Sequence, residues 1–573
     1  MDKTTSSPTP PNLTQRIASA AAWNALLFPV QFVVGMLASV LLLNYLQPAE
    51  YGVLSLLTGL AATIGLYSDL GIERSLPRFI PEIEHREGRA GVGRFLRRVI
   101  GLKVVLVIVA IIILQLFSSM LLGNVINNER ENLESANQQI VMLQSGGGTE
   151  EQIAKAIRNR DGKIEAIQQL EFNGRLFLWA VSAMVLFGAI YDVFMAFLTA
   201  YFKQRAWNLI TAVIALLQPL LIVGFILLDW ELSGVLLGMV ITPVIAVLLA
   251  AWQTYRASRE LTPSQQDVEP DPTLFPRFFK FAGMSFITQM TTWFYDSAFL
   301  VFMLTAQGAS FETIGILSFT YTFAKSYLSY AYLPFSGLLT PLLARIRSRN
   351  DPQALQDTYG GMTRMFALIL IPAGVGLALL TPRLLALLYP RYTDVAMLAY
   401  IFIAFTFLES LLSVPHNVLM VYERYKPVLI GRVLAMVSVP LLLLSSGFPS
   451  SAQLYAAAIS VGIARMLPRL MALVTVRRSM DLKFPLGFVL RSCFATLAFS
   501  ILLLVVMPLW PLPASATGWD GKLSAALSLG LLAGLGVIGY FVALKLLGGL
   551  DEQERNRILS LKLPFKRYIA RML

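Results

Sequence analysis

Fourteen apolar stretches occupy most of this 573-residue chain, near 18–46, 51–80, 99–123, 175–200, 207–228, 233–254, 278–304, 312–341, 365–389, 395–421, 428–447, 452–475, 486–510 and 523–547. A helix needs roughly 20 apolar residues to cross about 30 Å of hydrocarbon. In that medium the backbone's polar groups must be satisfied within the segment, so runs of this length predict helices. The fold class expected is therefore an all-α membrane protein with 14 transmembrane helices. A content of 56% hydrophobic and 14% charged residues agrees.

Lysine and arginine in the short connections set the orientation of such a chain. With the amino terminus placed inside, the cytoplasmic loops and both termini, taken with Lys280, Arg491 and Lys545 at the cytoplasmic ends of their spans, hold 30 of the 46 basic residues. The short external loops then hold only Arg391 and Lys522. The external segment 124–174 holds five, which a long segment tolerates. Both termini are expected in the cytoplasm. The +12 balance is thus an orientation signal and an attraction to anionic lipid headgroups; it gives no reason to expect nucleic acid. The first apolar run is longer than the core of a cleavable signal and is expected to remain as the first helix. The single Cys493 permits no intrachain disulfide, and His85 and His416 are too few and too far apart to suggest zinc. No metal and no cofactor are expected.

Shifted against itself, the chain repeats. Gly52-Val53-Leu54-Ser55-Leu56 matches Gly315-Ile316-Leu317-Ser318-Phe319 at an offset of 263, and Leu13-x-x-Arg16 matches Leu274-x-x-Arg277 at 261. Tyr201-x-Lys203-x-Arg205 matches Tyr422-x-Arg424-x-Lys426 at 221. Such repeats are common in transporters, where sites lie between them. The matches predict a six-helix bundle over 1–254, a Pro-rich cytoplasmic linker over 255–277, and a second six-helix bundle of the same orientation over 278–475. Two additional helices and a cytoplasmic tail over 476–573 follow. Gly530, Gly534, Gly536 and Gly539 in the last span suggest close helix packing.

The fall in offset places an insertion at 124–174, which is polar and lacks Trp and Tyr. Ile126, Leu133 and Ile140, then Ile153, Ile157, Ile164 and Ile167, recur at the seam spacing of paired helices. Ser145-Gly146-Gly147-Gly148-Thr149 is a turn, with Thr149 and Gln152 placed as a capping box. An external helical hairpin is expected, continuing the third and fourth spans outward. It is either an insertion without a partner or a docking arm for another envelope protein.

Charges left inside spans are costly, on the order of 3 kcal/mol at the bilayer centre, and usually face a cavity. Lys103, Arg175, Arg383 and Arg469 are near span ends and are expected to snorkel to the interface. Lys325 and Arg465 are central, and Arg432 is one turn in. Arg74 and Arg78 share a face at i,i+4, either as interfacial anchors or as cavity cations. Asp69 and Glu73 repeat that spacing, and Asp192, Asp296 and Glu409 complete the acidic set. The central charges are basic, so the expected cargo is anionic; Arg would grip a phosphate as a bidentate fork and Lys as a point charge.

With Glu50-Tyr51-Gly52, Asp69-Leu70-Gly71-Ile72 followed by Arg78, Pro372-Ala373-Gly374 and Leu388-Tyr389-Pro390-Arg391-Tyr392, the chain resembles the polysaccharide-export flippases of the multidrug/oligosaccharidyl-lipid/polysaccharide (MOP) exporter superfamily over about residues 13–475. The hairpin departs from the usual short loop. The resemblance implies a V-shaped pair of bundles in a bacterial inner membrane, and a cargo of polyprenyl-diphosphate-linked oligosaccharide, such as an O-antigen or lipopolysaccharide precursor. Arg78, Lys325 and Arg465, with Arg74 and Arg432, are then expected to hold the diphosphate. Asp69, Glu73, Asp296 and Glu409 would balance those charges or couple transport to protons, sodium or membrane potential. Partners would be membrane lipids and, through the hairpin, polysaccharide polymerase or export proteins.

Three rivals are weighed. A drug/cation antiporter of the same superfamily would suit an acid-dominated cavity better. A glycan polymerase or ligase needs catalytic groups on its external face, whereas the one large external segment has no His, Tyr or Trp. A structural partner in a secretion complex would make the hairpin the working part. With no phosphate-loop motif and no catalytic constellation, the chain is not expected to be an enzyme.

Overall fold

The computed structural model describes residues 31, 33–201, 203–261, 273–349, 351–444, 450–509 and 519–548. The predicted start of the first span at 18–30, most of the linker and the tail beyond 548 lie outside the described residues. Within them the chain is helical throughout. The helices are α1 (Val33–Tyr45), α2 (Pro48–Asp69), α3 (Ile72–Leu116), α4 (Ser118–Ser145), α5 (Glu150–Ala200), α6 (Gln204–Leu227), α7 (Glu231–Ser258), α8 (Leu274–Trp293), α9 (Ser297–Ala306), α10 (Phe311–Arg349), α11 (Pro352–Leu388), α12 (Ala396–Leu411), α13 (Ser413–Val421), α14 (Tyr425–Leu444), α15 (Ser450–Ser479), α16 (Leu486–Leu509) and α17 (Trp519–Leu546). A 3-10 turn, Pro390–Val395, joins α11 to α12. Ten helices are long and apolar enough to cross a membrane. Val105, Ile108 and Ile112 of α3 and Leu497, Ile501 and Leu504 of α16 are exposed at helical spacing. An apolar outer face of this kind suits lipid, not water.

Several predicted spans are divided. The stretch 51–80 ends as one helix at Asp69, where Leu70 (φ 49) and Gly71 (φ 75) adopt left-handed backbone. The cause is the approach of α8: a Cβ on Gly71 would lie 2.1 Å from the Ala282 carbonyl oxygen. Arg74 and Arg78 therefore belong to α3, which turns again at Gly88 (φ 61) before its apolar half. Asp69 and Glu73 do not share a helix face; the Glu73 N–H donates to the Asp69 carboxylate at 3.2 Å, capping α3. Span 278–304 breaks between α8 and α9, and 395–421 breaks at Leu412.

The hairpin forms as its residues predict. The Thr149 N–H donates to Gln152 Oε1 at 3.1 Å and the Gln152 N–H to Thr149 Oγ1 at 3.3 Å. Ile140 and Ile167 are buried in its seam, and α5 runs unbroken for 51 residues from the hairpin into the bundle. In α17 the close packing falls on Gly536 and Gly539, against Phe499, Leu502 and Leu503 of α16, while Gly530 and Gly534 face open space.

The repeated glycines meet. A Cβ on Gly52 of α2 would lie 1.9 Å from the Phe311 carbonyl oxygen, and one on Gly315 of α10 would lie 2.1 Å from that of Pro48. Phe311 follows Pro48 by the same 263 residues that separate Gly315 from Gly52, so the contact is reciprocal, as in an isologous interface. Gly315→Ala is expected to cost about 1–3 kcal/mol or more through overpacking against backbone, read as a lowered melting temperature. Gly65→Ala, lower on α2 where a Cβ meets nothing within 4 Å, is expected to leave it unchanged.

At this end one apolar core runs through both halves, with Val53, Leu54 and Leu57 of α2 packed alongside Leu317, Phe319 and Phe323 of α10. Away from the hairpin the core divides. One part gathers Phe79, Phe95, Phe197 and Phe278, the other Leu343, Tyr359, Val418 and Val476. Helix α8 bridges them, with Phe278 in the first cluster and the Thr288 carbonyl accepting from Arg432 of α14.

Candidate functional site

Where the shared core gives out, charge begins. Tyr321 and Lys325 stand one turn apart on α10; Tyr321 is buried whereas Lys325 is exposed. An ammonium in the middle of a 39-residue helix needs partners or water to be tolerated at that depth. Lys325 Nζ donates to the Tyr321 hydroxyl at 3.4 Å and lies 5.2 Å from that ring's centroid. From α15, the Arg465 guanidinium comes 5.3 Å from the same centroid. One aromatic face thus holds two cations together, by attraction to its quadrupole.

Carboxylates partly offset them. Glu409 of α12 pairs through one oxygen with Arg465 and through the other with Arg469, at 3.3 Å. Arg469 therefore does not snorkel to the interface; it sits one turn from Arg465 on α15, facing the same carboxylate. Glu409→Gln would leave two guanidinium groups sharing a mostly buried site. It is expected to destabilise the protein by about 2 kcal/mol, with recovery when Arg469→Gln is added. Asp296, at the break between α8 and α9, accepts the Ser297 hydroxyl at 3.0 Å, and its charge acts on Lys325, as does that of Arg465. Arg432 of α14 donates to the Thr288 carbonyl of α8 at 3.3 Å while its buried Nε has no partner. His416 of α13, whose Nδ1 is likewise unpartnered, feels the charges of Arg469 and Arg432. Arg74, exposed on α3, acts on Arg432 from the other half.

The sequence-predicted residues therefore fall into three places. Lys325, Arg465, Arg432, Asp296 and Glu409 form one group with Arg469, linked by contacts and by their charges, and Arg74 acts on it from α3. Arg78 stands apart, its guanidinium 4.6 Å from the centroid of Phe281 and 5.7 Å from that of Phe79. Asp69 belongs to a third group inside the first half: it pairs with Lys103 at 2.9 Å, both buried. The expected snorkelling of Lys103 is thus corrected, because α2 and α3 bring its ammonium onto a carboxylate. Glu73 and Asp192 act on this group through their charges. Arg383 bonds to the Met507 carbonyl of α16 and Arg175 is exposed.

Tyr321 was not singled out by its sequence, although an aromatic residue four before a mid-span lysine is a helical neighbour of it. The pairing of Glu409 with α15 carried no local signal, since 56 residues separate it from Arg465.

No protein-family model and no curated protein matches the chain. Solved structures do. The lipid II flippase MurJ, in an inward closed conformation, superposes with a TM-score of 0.58 at 15% identity over 91% of this chain and 98% of that one. An inward-facing multidrug resistance MATE family transporter of the MOP superfamily gives 0.52 at 13% identity, over 79% and 94%. This chain is a multi-pass membrane protein with the fold that these two transporters share.

Proposed function

We propose that this protein is an alternating-access flippase for a polyprenyl-diphosphate-linked oligosaccharide, with 14 spans arranged as two six-helix repeats and a terminal pair. The observation that carries this reading is the exposed Lys325 held beside Arg465 on Tyr321, at the point where the shared core ends. Cations in the group outnumber Glu409 and Asp296, so it is left positive and suits an anion whose charge is concentrated, such as a diphosphate. In confined, poorly hydrated space each ammonium or guanidinium contact to phosphate is a charge-assisted hydrogen bond. Arg432 and Arg74 would extend the grip, and Arg78 would meet the headgroup on entry.

The reciprocal Gly52 and Gly315 contact supports the repeat reading, since a local two-fold axis generates such reciprocity. The Asp69, Lys103, Glu73 and Asp192 group is assigned to charge balance or to coupling with protons, sodium or membrane potential. Both termini are assigned to the cytoplasm, a reading that the bias of Lys and Arg toward alternate connections supports, and the membrane to a bacterial inner membrane, as the family resemblance implies.

The same fold serves a multidrug transporter, so the sign of the cargo is the point to test. Proteoliposomes holding the protein are expected to translocate a diphosphate-linked glycolipid faster than its neutral analogue, and to ignore cationic dyes. Dye transport with an idle glycolipid would reverse the assignment.

A further inference from the structure

The hairpin is bonded to the half of the chain that it does not belong to. Glu129 of α4, 2% exposed, accepts the backbone N–H of Phe311, the first residue of α10, at 3.0 Å. It also lies 3.5 Å from Nζ of Lys163 on α5, which is buried and 3.8 Å from Glu312 of α10. Asn159 donates to Glu312 at 2.6 Å and Asn132 to the Gly308 carbonyl at 3.1 Å, while Lys155 pairs with Asp394 in the 3-10 turn. Toward its own half, Gln169 of α5 donates to Glu50 of α2 at 2.8 Å and to Glu231 of α7 at 3.1 Å.

These contacts surround the crossing of α2 and α10 at Gly52 and Gly315. Taking charges out of water costs several kcal/mol per ion unless partners compensate; in the docked state Glu129 and Lys163 compensate each other, and the Phe311 N–H and Glu312 of α10 complete the set. Parting α2 from α10 would leave the Phe311 N–H and Glu312 to water, and Glu129 and Lys163 without their partner across the crossing.

We propose that the insertion is a latch: the buried Glu129, Lys163 and Glu312 cluster, with the Glu129 cap on α10, holds the bundles shut at the hairpin end and biases the resting protein toward the state open at the other. This rests on the two-bundle alternating-access reading. It is tested without cargo, so an error in the cargo would leave it standing.

The reporter is Ser318→Cys, one turn beyond Gly315 on α10 and buried at the crossing, in a Cys493→Ser background. In proteoliposomes, a membrane-impermeant maleimide is expected to label it slowly. Glu129→Gln keeps an acceptor for the Phe311 N–H but loses the charge, and Lys163→Met removes the central cation. Each is expected to raise the labelling rate at least tenfold. Arg130→Ala breaks only the exposed pair within the hairpin, Arg130 to Glu171 at 2.5 Å, and is expected to leave the rate unchanged. Parent-like labelling in both Glu129→Gln and Lys163→Met overturns the latch, as does an equal rise in Arg130→Ala. Should those variants misfold, amide exchange in the unsubstituted chain decides: slow exchange across 309–314 is expected, and exchange as fast as a frayed helix end counts against it.

Discussion

Lys325→Ala is expected to lower the initial rate of diphosphate-linked glycolipid transport in proteoliposomes by roughly 30- to 100-fold. A hydrogen bond to a charged group contributes about 1.5–3 kcal/mol, and each 1.4 kcal/mol is a factor of ten. Lys325 donates to Tyr321 and feels the charge of Asp296, which is only partly buried, so its removal strands no fully buried carboxylate. The melting temperature should therefore hold while transport falls. Lys325→Arg keeps the charge and should retain most of the rate. Wild-type transport by the alanine variant would remove the anion site as drawn; a parallel loss of melting temperature would make the residue structural.

The opposite pattern is expected of Lys103→Met. Its ammonium is 2.9 Å from the Asp69 carboxylate, with both side chains almost entirely enclosed. Removing one partner of such a pair costs about 3–5 kcal/mol, because the other charge is left buried, whereas replacing both is often nearly neutral. The single variant should melt at a clearly lower temperature in detergent, and Asp69→Asn combined with Lys103→Met should regain most of the loss. If the double variant is as unstable as the single one, the pair is not what holds α2 against α3.

These two lysines show how far the sequence could be read. Both stand in apolar stretches, and the stretches are helices because that signal is local: length, hydropathy and backbone satisfaction. Local chemistry also exposed the hairpin, down to the two bonds between Thr149 and Gln152. The left-handed residues at Leu70 and Gly71 were hidden, because nothing in an uninterrupted run announces that α8 will come within a side chain's width of that backbone. Which charge meets which was hidden for the same reason. Distance from a span end assigned Lys103 and Arg469 to the interface, while tertiary packing gave each a carboxylate within 3.3 Å. Lys325 and Arg465 could be placed at mid-depth, but their common ring at Tyr321 required both helices in register.

The unbroken α5 has a mechanical consequence. Its hairpin portion, about 25 residues at 1.5 Å each, is nearly 40 Å long and lies against α2, α7 and α10 for most of that length, through Gln169, Lys163 and Asn159. Once its contacts to α10 are released, a stiff rod of this length magnifies rotation, so a 10° tilt of the first bundle would sweep the tip by about 6 Å, by simple arc length from that rise. The tip therefore serves as a pointer on a dial. A fluorophore pair spanning Ser145 and the far bundle, or an antibody fragment bound there for imaging, would register small rocking motions that are difficult to resolve nearer the pivot.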